Sequence, residues 1–154
     1  MKAKKLMSTD VQACRPGDTM ADAAKIMWER DCGIVPVVDS QHRVVGILTD
    51  RDICISAFTK GKALSQLHVK DAMQAPVHCC RDDDVHEAIH EMMRKFQVRR
   101  LPVVDRDERL VGMISLNDLV LAAQEASGRA RSELAEEVFD TLAAVSRHRV
   151  PMLA

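Results

Sequence analysis

The sequence contains no tyrosine, and Trp28, Phe58, Phe96 and Phe139 are its whole aromatic supply. That scarcity argues against a base-stacking platform for single-stranded nucleic acid. A charge field of one sign is also missing. Twenty-two Lys and Arg stand against 23 Asp and Glu, for a formal charge of −1, so nothing recruits nucleic acid at long range. No apolar run approaches the ~20 residues a membrane-crossing helix needs, and the basic stretch Met1 to Leu6 is followed by no apolar h-region. The five cysteines, Cys14, Cys32, Cys54, Cys79 and Cys80, are odd in number and show no CxxC spacing, which suggests neither a disulfide framework nor a zinc knuckle. A soluble protein of a reducing cytoplasm is the expectation. At 154 residues the chain can bury roughly 70% of the surface its unfolded form exposes, so it needs no disulfide to hold a core.

What the sequence does have is an internal repeat. Shifted by 66 residues, positions 6–53 fall on 72–119 without a gap and share Met7/Met73, Val11/Val77, Cys14/Cys80, Arg15/Arg81, Asp18/Asp84, Met27/Met93, Pro36/Pro102, Val37/Val103, Val38/Val104, Asp39/Asp105, Arg43/Arg109, Val45/Val111, Gly46/Gly112 and Asp52/Asp118. A unit this short does not bury its apolar face alone, so the copies are expected to pack together with a ligand cleft between them. The expected divisions are 1–66 for the first repeat with its connector, 67–126 for the second, and 127–154 for a C-terminal helix and tail.

Each copy reads as strand, helix, strand, tight turn, strand, helix, an α+β fold of two β-α-β-β-α repeats related by a pseudo-two-fold. Ala23, Ile26, Met27 and Arg30, and in the second copy Ile89, Met92, Met93 and Phe96, recur at helical spacing. Asp18 and Asp84 open these helices, as residues whose side-chain oxygens accept free backbone N–H groups. Ile34–Val38 and Leu101–Val104 are short β-branched runs read as buried strands. The proline in each marks an edge or a bulge. Hairpin turns Ser40-Gln41-His42 and Arg106-Asp107-Glu108 lead to Val44–Leu48 and Leu110–Ile114. Closing helices follow over Asp50–Lys60 and Leu116–Glu125. Gly61 ends the first, and a strand is expected soon after Lys70. Residues 132–146 carry Leu134, Val138, Leu142 and Val145 on one helical face, with Glu133, Glu136, Glu137 and Asp140 opposite. This amphipathic helix is expected to cover the core or a dimer seam, with a partner-docking helix as the alternative.

After the second hairpin strand both copies read Gly-h-h-[Ser/Thr]-x-x-Asp-h, where h is apolar: Gly46 to Ile53 and Gly112 to Leu119. Ser or Thr followed three residues later by an acid is a capping box. The same helix start aims N–H groups and positive dipole at any anion nearby. Thr49 or Ser115 can then hold a phosphate, Asp52 or Asp118 can accept both hydroxyls of a ribose diol, and Arg51 adds charge. Arg94, Lys95, Arg99 and Arg100 form a basic run that reads as either a phosphate clamp or a solvated face. His86-Glu87-Ala88-Ile89-His90 is a literal H-E-x-x-H. However, the first copy has Met20, Ala21 and Ala24 there, no third ligand is signalled, and the stripe Ile89, Met92, Met93, Phe96 is expected to turn both histidines to solvent. Cys79-Cys80 and the nine methionines read as core packing, and His42, His68, His78 and His148 receive no role.

The Val-Pro-Val-Val-Asp and Leu-Pro-Val-Val-Asp strands, the glycine-led hairpin strands and the two Thr/Ser-x-x-Asp turns together resemble a pair of cystathionine β-synthase (CBS) domains, a Bateman module, over about residues 6–120. The resemblance implies a regulatory module, without catalytic or metal-ligating residues, that binds an adenosyl compound: AMP, ADP or ATP, with S-adenosylmethionine or NAD as further candidates. Carried onto this chain, Asp52 and Asp118 hold ribose, and Thr49 and Ser115 contact phosphate. Val11, Ile34, Pro36, Val77, Leu101 and Pro102 sandwich adenine. Arg51, Arg99 and Arg100 serve phosphates, whereas Asn117 stands where the first copy has Arg51. The copies are therefore electrically unequal, and one site is expected to dominate. A homodimer that signals to a protein partner by conformational change follows from the same resemblance. Two alternatives stand beside it. One is a structural or dimerisation scaffold whose turns only cap helices. The other is a metal- or redox-responsive module acting through His86, His90 and the cysteines.

Overall fold

The computed structural model describes residues 1–147, which form the helices α1 (Ala3–Leu6), α2 (Met20–Glu29), α3 (Asp50–Lys60), α4 (His86–Phe96), α5 (Leu116–Glu125) and α6 (Gly128–Ser146). The strands are β1 (Ile34–Val38), β2 (Val44–Thr49), β3 (Cys80–Arg81), β4 (Arg100–Val104) and β5 (Leu110–Ser115). This is the α+β pattern of two β-α-β-β-α repeats followed by an extra helix. His148 and the rest of the expected tail lie outside the described residues.

The repeats are not the compact units. One unit comprises Asp10–Cys79 with Val104–Val111; the other comprises Met1–Thr9, Cys80–Val103 and the described chain from Gly112 onward. In the first unit, β1 and β2 form an antiparallel pair in which Pro36 faces Ile47 and Val37 faces Gly46, with a bulge between Val37 and Val38. Ile47 directs its N–H and C=O to Gln74, at 3.0 and 2.8 Å, so Pro36 and Ile47 are a non-hydrogen-bonded pair. The donor that proline lacks therefore falls on the side away from β2. There only Cys14 runs alongside, donating to the Pro36 carbonyl at 2.9 Å. The proline thus costs no bond of the β1–β2 ladder, and the bulge comes one residue after it. Met20, Ala23 and Met27 of α2 close the core over Val35, Val37, Leu48 and Ile53.

In the other unit the sheet order is β3-β4-β5. Ser8 joins by exchanging backbone bonds with Met113 at 2.9 and 3.0 Å. Ser8–Met113 and Gln74–Ile47 are the same pairing under the 66-residue shift. Each arm brings a methionine onto a glycine: a Cβ on Gly46 would lie 2.6 Å from the Met73 sulfur, and one on Gly112 2.5 Å from that of Met7. Glycine is required by close approach at Gly112, where a Cβ would also meet the Ser8 carbonyl oxygen at 2.8 Å, whereas at Gly46 it would displace the Met73 side chain. Ile89 and Met93 of α4 are fully buried, each contributing about 2 kcal/mol by the usual area relation.

Several expectations need correction. Asp18 and Asp84 do not cap helices; they accept the backbone N–H of Arg15 and Arg81 in the preceding turn, both at 2.8 Å. The cap of α2 is Thr19, in a capping box with Asp22. The start of α4 has no side-chain cap, because the Met1 carbonyl accepts the His86 N–H at 2.8 Å. After Lys70 the chain makes a 3-10 turn, Val69–Asp71, and the isolated Gln74–Ile47 bridge rather than a regular strand. The last helix begins at Gly128 instead of residue 132, and its buried face carries Thr141 and Val145 while Leu142 is exposed.

Candidate functional site

Both Ser/Thr-x-x-Asp turns are complete capping boxes. Asp52 Oδ2 accepts from the Thr49 N–H at 3.0 Å while the Asp52 N–H donates to Thr49 Oγ1 at 3.1 Å. In the second copy Asp118 Oδ2 accepts from the Ser115 N–H at 2.7 Å and from Ser115 Oγ at 2.6 Å. Each box uses mainly one carboxylate oxygen. The structural reading of these turns is thus correct, and it leaves the second oxygen available for other work.

The copies differ in what that oxygen does. The Gln74 side-chain amide donates through Nε2 to Asp52 Oδ1 at 3.1 Å and to Oδ2 at 2.9 Å. Asp118 Oδ1 accepts no hydrogen bond from the described residues, and the counterpart of Gln74 is Ser8, whose side chain is three heavy atoms shorter. The helix starts differ as well. At the head of α3, Asp50 Oδ1 accepts the Arg51 N–H at 2.8 Å, placing a negative charge where an anion would sit. Its backbone N–H reaches the Gly33 carbonyl at 3.0 Å, and a Cβ on Gly33 would meet Asp50 Oδ2 at 2.9 Å. At the head of α5 the corresponding residues are Leu116 and Arg99, joined by the same backbone bond at 2.9 Å, so an acid is exchanged for an exposed guanidinium-bearing residue. Sequence reasoning overlooked Gln74 and Asp50; the signal was the repeat alignment, which sets them against Ser8 and Leu116.

The first unit gathers Val11, Ile34, Pro36, Thr49, Arg51, Asp52 and Val77, with Ile34 paired directly to Thr49. The second gathers Arg99, Arg100, Leu101, Pro102, Ser115, Asn117 and Asp118. Val11, Ile34 and Val77 are half-buried, Pro36, Leu101 and Pro102 are buried, and Arg51, Arg99, Arg100 and Asn117 are exposed. The basic run divides. Arg94 donates to Thr141 Oγ1 at 3.1 Å and Lys95 lies over the Phe96 ring at 5.3 Å, while Arg99 adjoins the second turn through its carbonyl, which accepts the Leu116 N–H.

The H-E-x-x-H histidines do not face solvent. His90 is 1% exposed beneath α6, its Nδ1 hydrogen-bonded to Thr141 Oγ1 at 2.8 Å. His86 Nε2 lies 3.4 Å from Glu137 Oε2, and His90 Nε2 4.0 Å from the same oxygen. Gln97 Nε2 extends the seam by donating to the Ala144 carbonyl at 3.2 Å. Helix α4 thus has two buried faces, an apolar one carrying Ile89 and Met93 and a polar one under α6. The helical period alone reveals only the first. Burial, then the neighbouring Arg94 and His86 charges, push the His90 imidazole down to about 4, so it is neutral at physiological pH. Arg94 donates to Thr141 Oγ1, so one hydroxyl is hydrogen-bonded to both Arg94 and His90 Nδ1. Among the described residues no three His, Cys, Asp or Glu side chains converge as a metal site. Cys14 and Cys80 are fully buried, and burial with nearby Asp18 and Asp22 pushes the Cys14 thiol up to about 11. It is an unreactive core group.

Comparison with known proteins agrees with this geometry. The CBS domain family model matches residues 3–56 and 69–125. An uncharacterised Bacillus subtilis protein, YlbB, is 38% identical over 139 residues, which span 88% of this chain and 92% of that one. Hypoxic Response Protein I, solved with two coordinated zinc ions, superposes with a TM-score of 0.72 at 27% identity, covering 82% of this chain and all of that one. The CBS domain pair of protein MJ0100, solved with 5′-methylthioadenosine and S-adenosyl-L-methionine, superposes with a TM-score of 0.70 at 24% identity, covering 79% of this chain and 98% of that one. With its duplicated hairpins and its paired Ser/Thr-x-x-Asp helix starts, the chain is a tandem pair of CBS domains and belongs to the CBS domain family.

Proposed function

We propose that this chain is a cytoplasmic ligand-responsive regulatory module that binds an adenosyl compound of the AMP, ADP or ATP type at its Ser/Thr-x-x-Asp turns. Occupancy shifts its conformational population, and the change is passed to a protein partner. CBS domains are regulatory rather than catalytic modules. The observation that carries the reading is Asp118. It is a carboxylate at a helix head with one oxygen capping the helix and the other accepting no hydrogen bond from the described residues, and the exposed Arg99 is joined to the same helix head through its carbonyl. A ribose diol needs such an acceptor, and a phosphate needs such a cation. That the MJ0100 domain pair was solved with two adenosyl compounds supports the ligand class.

The homodimer belongs to the same proposal. Ile55, at 50%, and Phe58, at 84%, are exposed on α3, and Leu121, the repeat counterpart of Ile55, is 56% exposed on α5. Apolar side chains grouped on helix faces in this way mark association surfaces. No helix among the described residues is long and apolar enough to cross a membrane.

The test is a thermal-shift panel of AMP, ADP, ATP, S-adenosylmethionine, NAD and zinc on the wild type, Asp52→Ala and Asp118→Ala. A ligand that binds only the folded state raises the midpoint, by about 2.7 kcal/mol of stabilisation at a hundredfold excess over its Kd. An adenosyl-specific rise that disappears with a turn aspartate is the expected result. A flat adenosyl panel favours the scaffold reading, and a rise with zinc alone favours the metal-responsive one.

A further inference from the structure

We infer that the two turns are unequal by construction: the Asp118 turn takes the adenosyl ligand, whereas the Asp52 turn is held closed by the Gln74 side chain, which occupies the acceptors a ribose diol would use. This rests on the adenosyl reading above and concerns which turn is open. A ribose hydroxyl at a capping carboxylate donates to the oxygen that the cap leaves open. Gln74 Nε2 already donates to both oxygens of Asp52, at 3.1 and 2.9 Å. Its backbone is fixed in place by two bonds to Ile47, at 3.0 and 2.8 Å, so the amide competes intramolecularly at high effective concentration. Asp50 adds to the closure. Its carboxylate caps the Arg51 N–H at 2.8 Å and repels a phosphate from the head of α3.

The second copy is the control within the molecule. The same backbone pairing is present, Ser8 with Met113 at 2.9 and 3.0 Å, but Ser8 has no amide to offer. Leu116 replaces Asp50, and Arg99 replaces Gly33. These three differences act in one direction, against the single opposing one, the exposed Arg51 where the second copy has Asn117. Gln74 is thus a gating side chain: it need not touch ligand to determine the stoichiometry.

The experiment is calorimetric titration of the full chain with AMP and, separately, S-adenosylmethionine as probes, on the wild type, Gln74→Ser, Asp118→Ala, Gln74→Ser/Asp118→Ala and the reciprocal Ser8→Gln. The wild type is expected to bind one equivalent per chain and to lose it in Asp118→Ala. Gln74→Ser adds a second equivalent, and the double variant retains one equivalent where Asp118→Ala binds none, a gain of at least about tenfold in affinity at the Asp52 turn, the worth of one hydrogen bond to a charged group. Ser8→Gln weakens the wild-type site. Two equivalents in the wild type, or a Gln74→Ser that adds nothing or weakens binding, overturns the closure while leaving the adenosyl reading intact. If every variant is folded by circular dichroism and none binds either probe, the adenosyl reading falls and the closure falls with it.

Discussion

A carboxylate at the third position of a helix can cap the helix or hold a ligand, and one substitution separates the two uses. Asp118→Asn keeps a carbonyl oxygen for the Ser115 N–H, now 2.7 Å from Asp118 Oδ2, but loses the charge that a diol prefers. Its melting temperature should remain within a few degrees of wild type while adenosyl affinity drops at least about tenfold. Asp118→Ala should lose both properties, costing about 1 kcal/mol of stability, as lost caps do; thermal melts with calorimetry distinguish them. His90 gives a second residue-scale prediction. Its folded-state value of about 4 lies below the 6.5 of the free imidazole. Between those values the unfolded chain binds more protons, so its contribution is complete above pH 6.5 and is lost as pH falls toward 4. The loss is up to about 3 kcal/mol, read as urea midpoints at pH 7 and pH 4.5. His90→Gln should flatten that slope, because its amide still reaches Thr141 and does not titrate. Glu137, 4.0 Å from His90 Nε2, with Arg94, His86 and Glu87, completes the charge environment.

At the scale of the element, α6 is held on α4 by polar side chains as much as by apolar ones. Thr141 is fully buried and serves both His90 and Arg94. Thr141→Val therefore leaves two polar partners without their mate and should cost about 2 to 3 kcal/mol. Thr141→Ser should cost less than half of that, as chemical denaturation will show. The elements also indicate how far the sequence could be read. Helices α3 and α5 begin where their capping boxes place them and α3 ends at Gly61, because those signals are local. Thr19-x-x-Asp22 carries the same signal one residue after Asp18, and the better-known aspartate obscured it. The polar face of α4, in contrast, is paired to residues about fifty positions later, and no period within α4 reports that. Gln74 was hidden for the same reason: its partner Asp52 is reached only once the arm has paired with Ile47.

The whole molecule is interleaved, and that changes what its repeats can do alone. The unit that contains Asp118 includes Met1–Thr9, and the unit that contains Asp52 includes Val104–Val111. A chain cut at the repeat boundary near residue 66 gives two fragments, each without a paired strand of its unit. Neither should unfold cooperatively by circular dichroism, and an equimolar mixture should recover a single transition. For the proposed homodimer, Phe58 is 84% exposed, so Phe58→Asp should lower the mass seen by sedimentation without lowering the melting temperature.

The arm also bears on how the protein is made. Ser8 is synthesised well before its strand partner Met113, so the whole segment between them must leave the ribosome before that pairing can close. Until then the Met7 thioether has no Gly112 to cover and stays exposed. Completion of this unit therefore waits on the synthesis of β5, and the segment around Met7 is aggregation-prone until then.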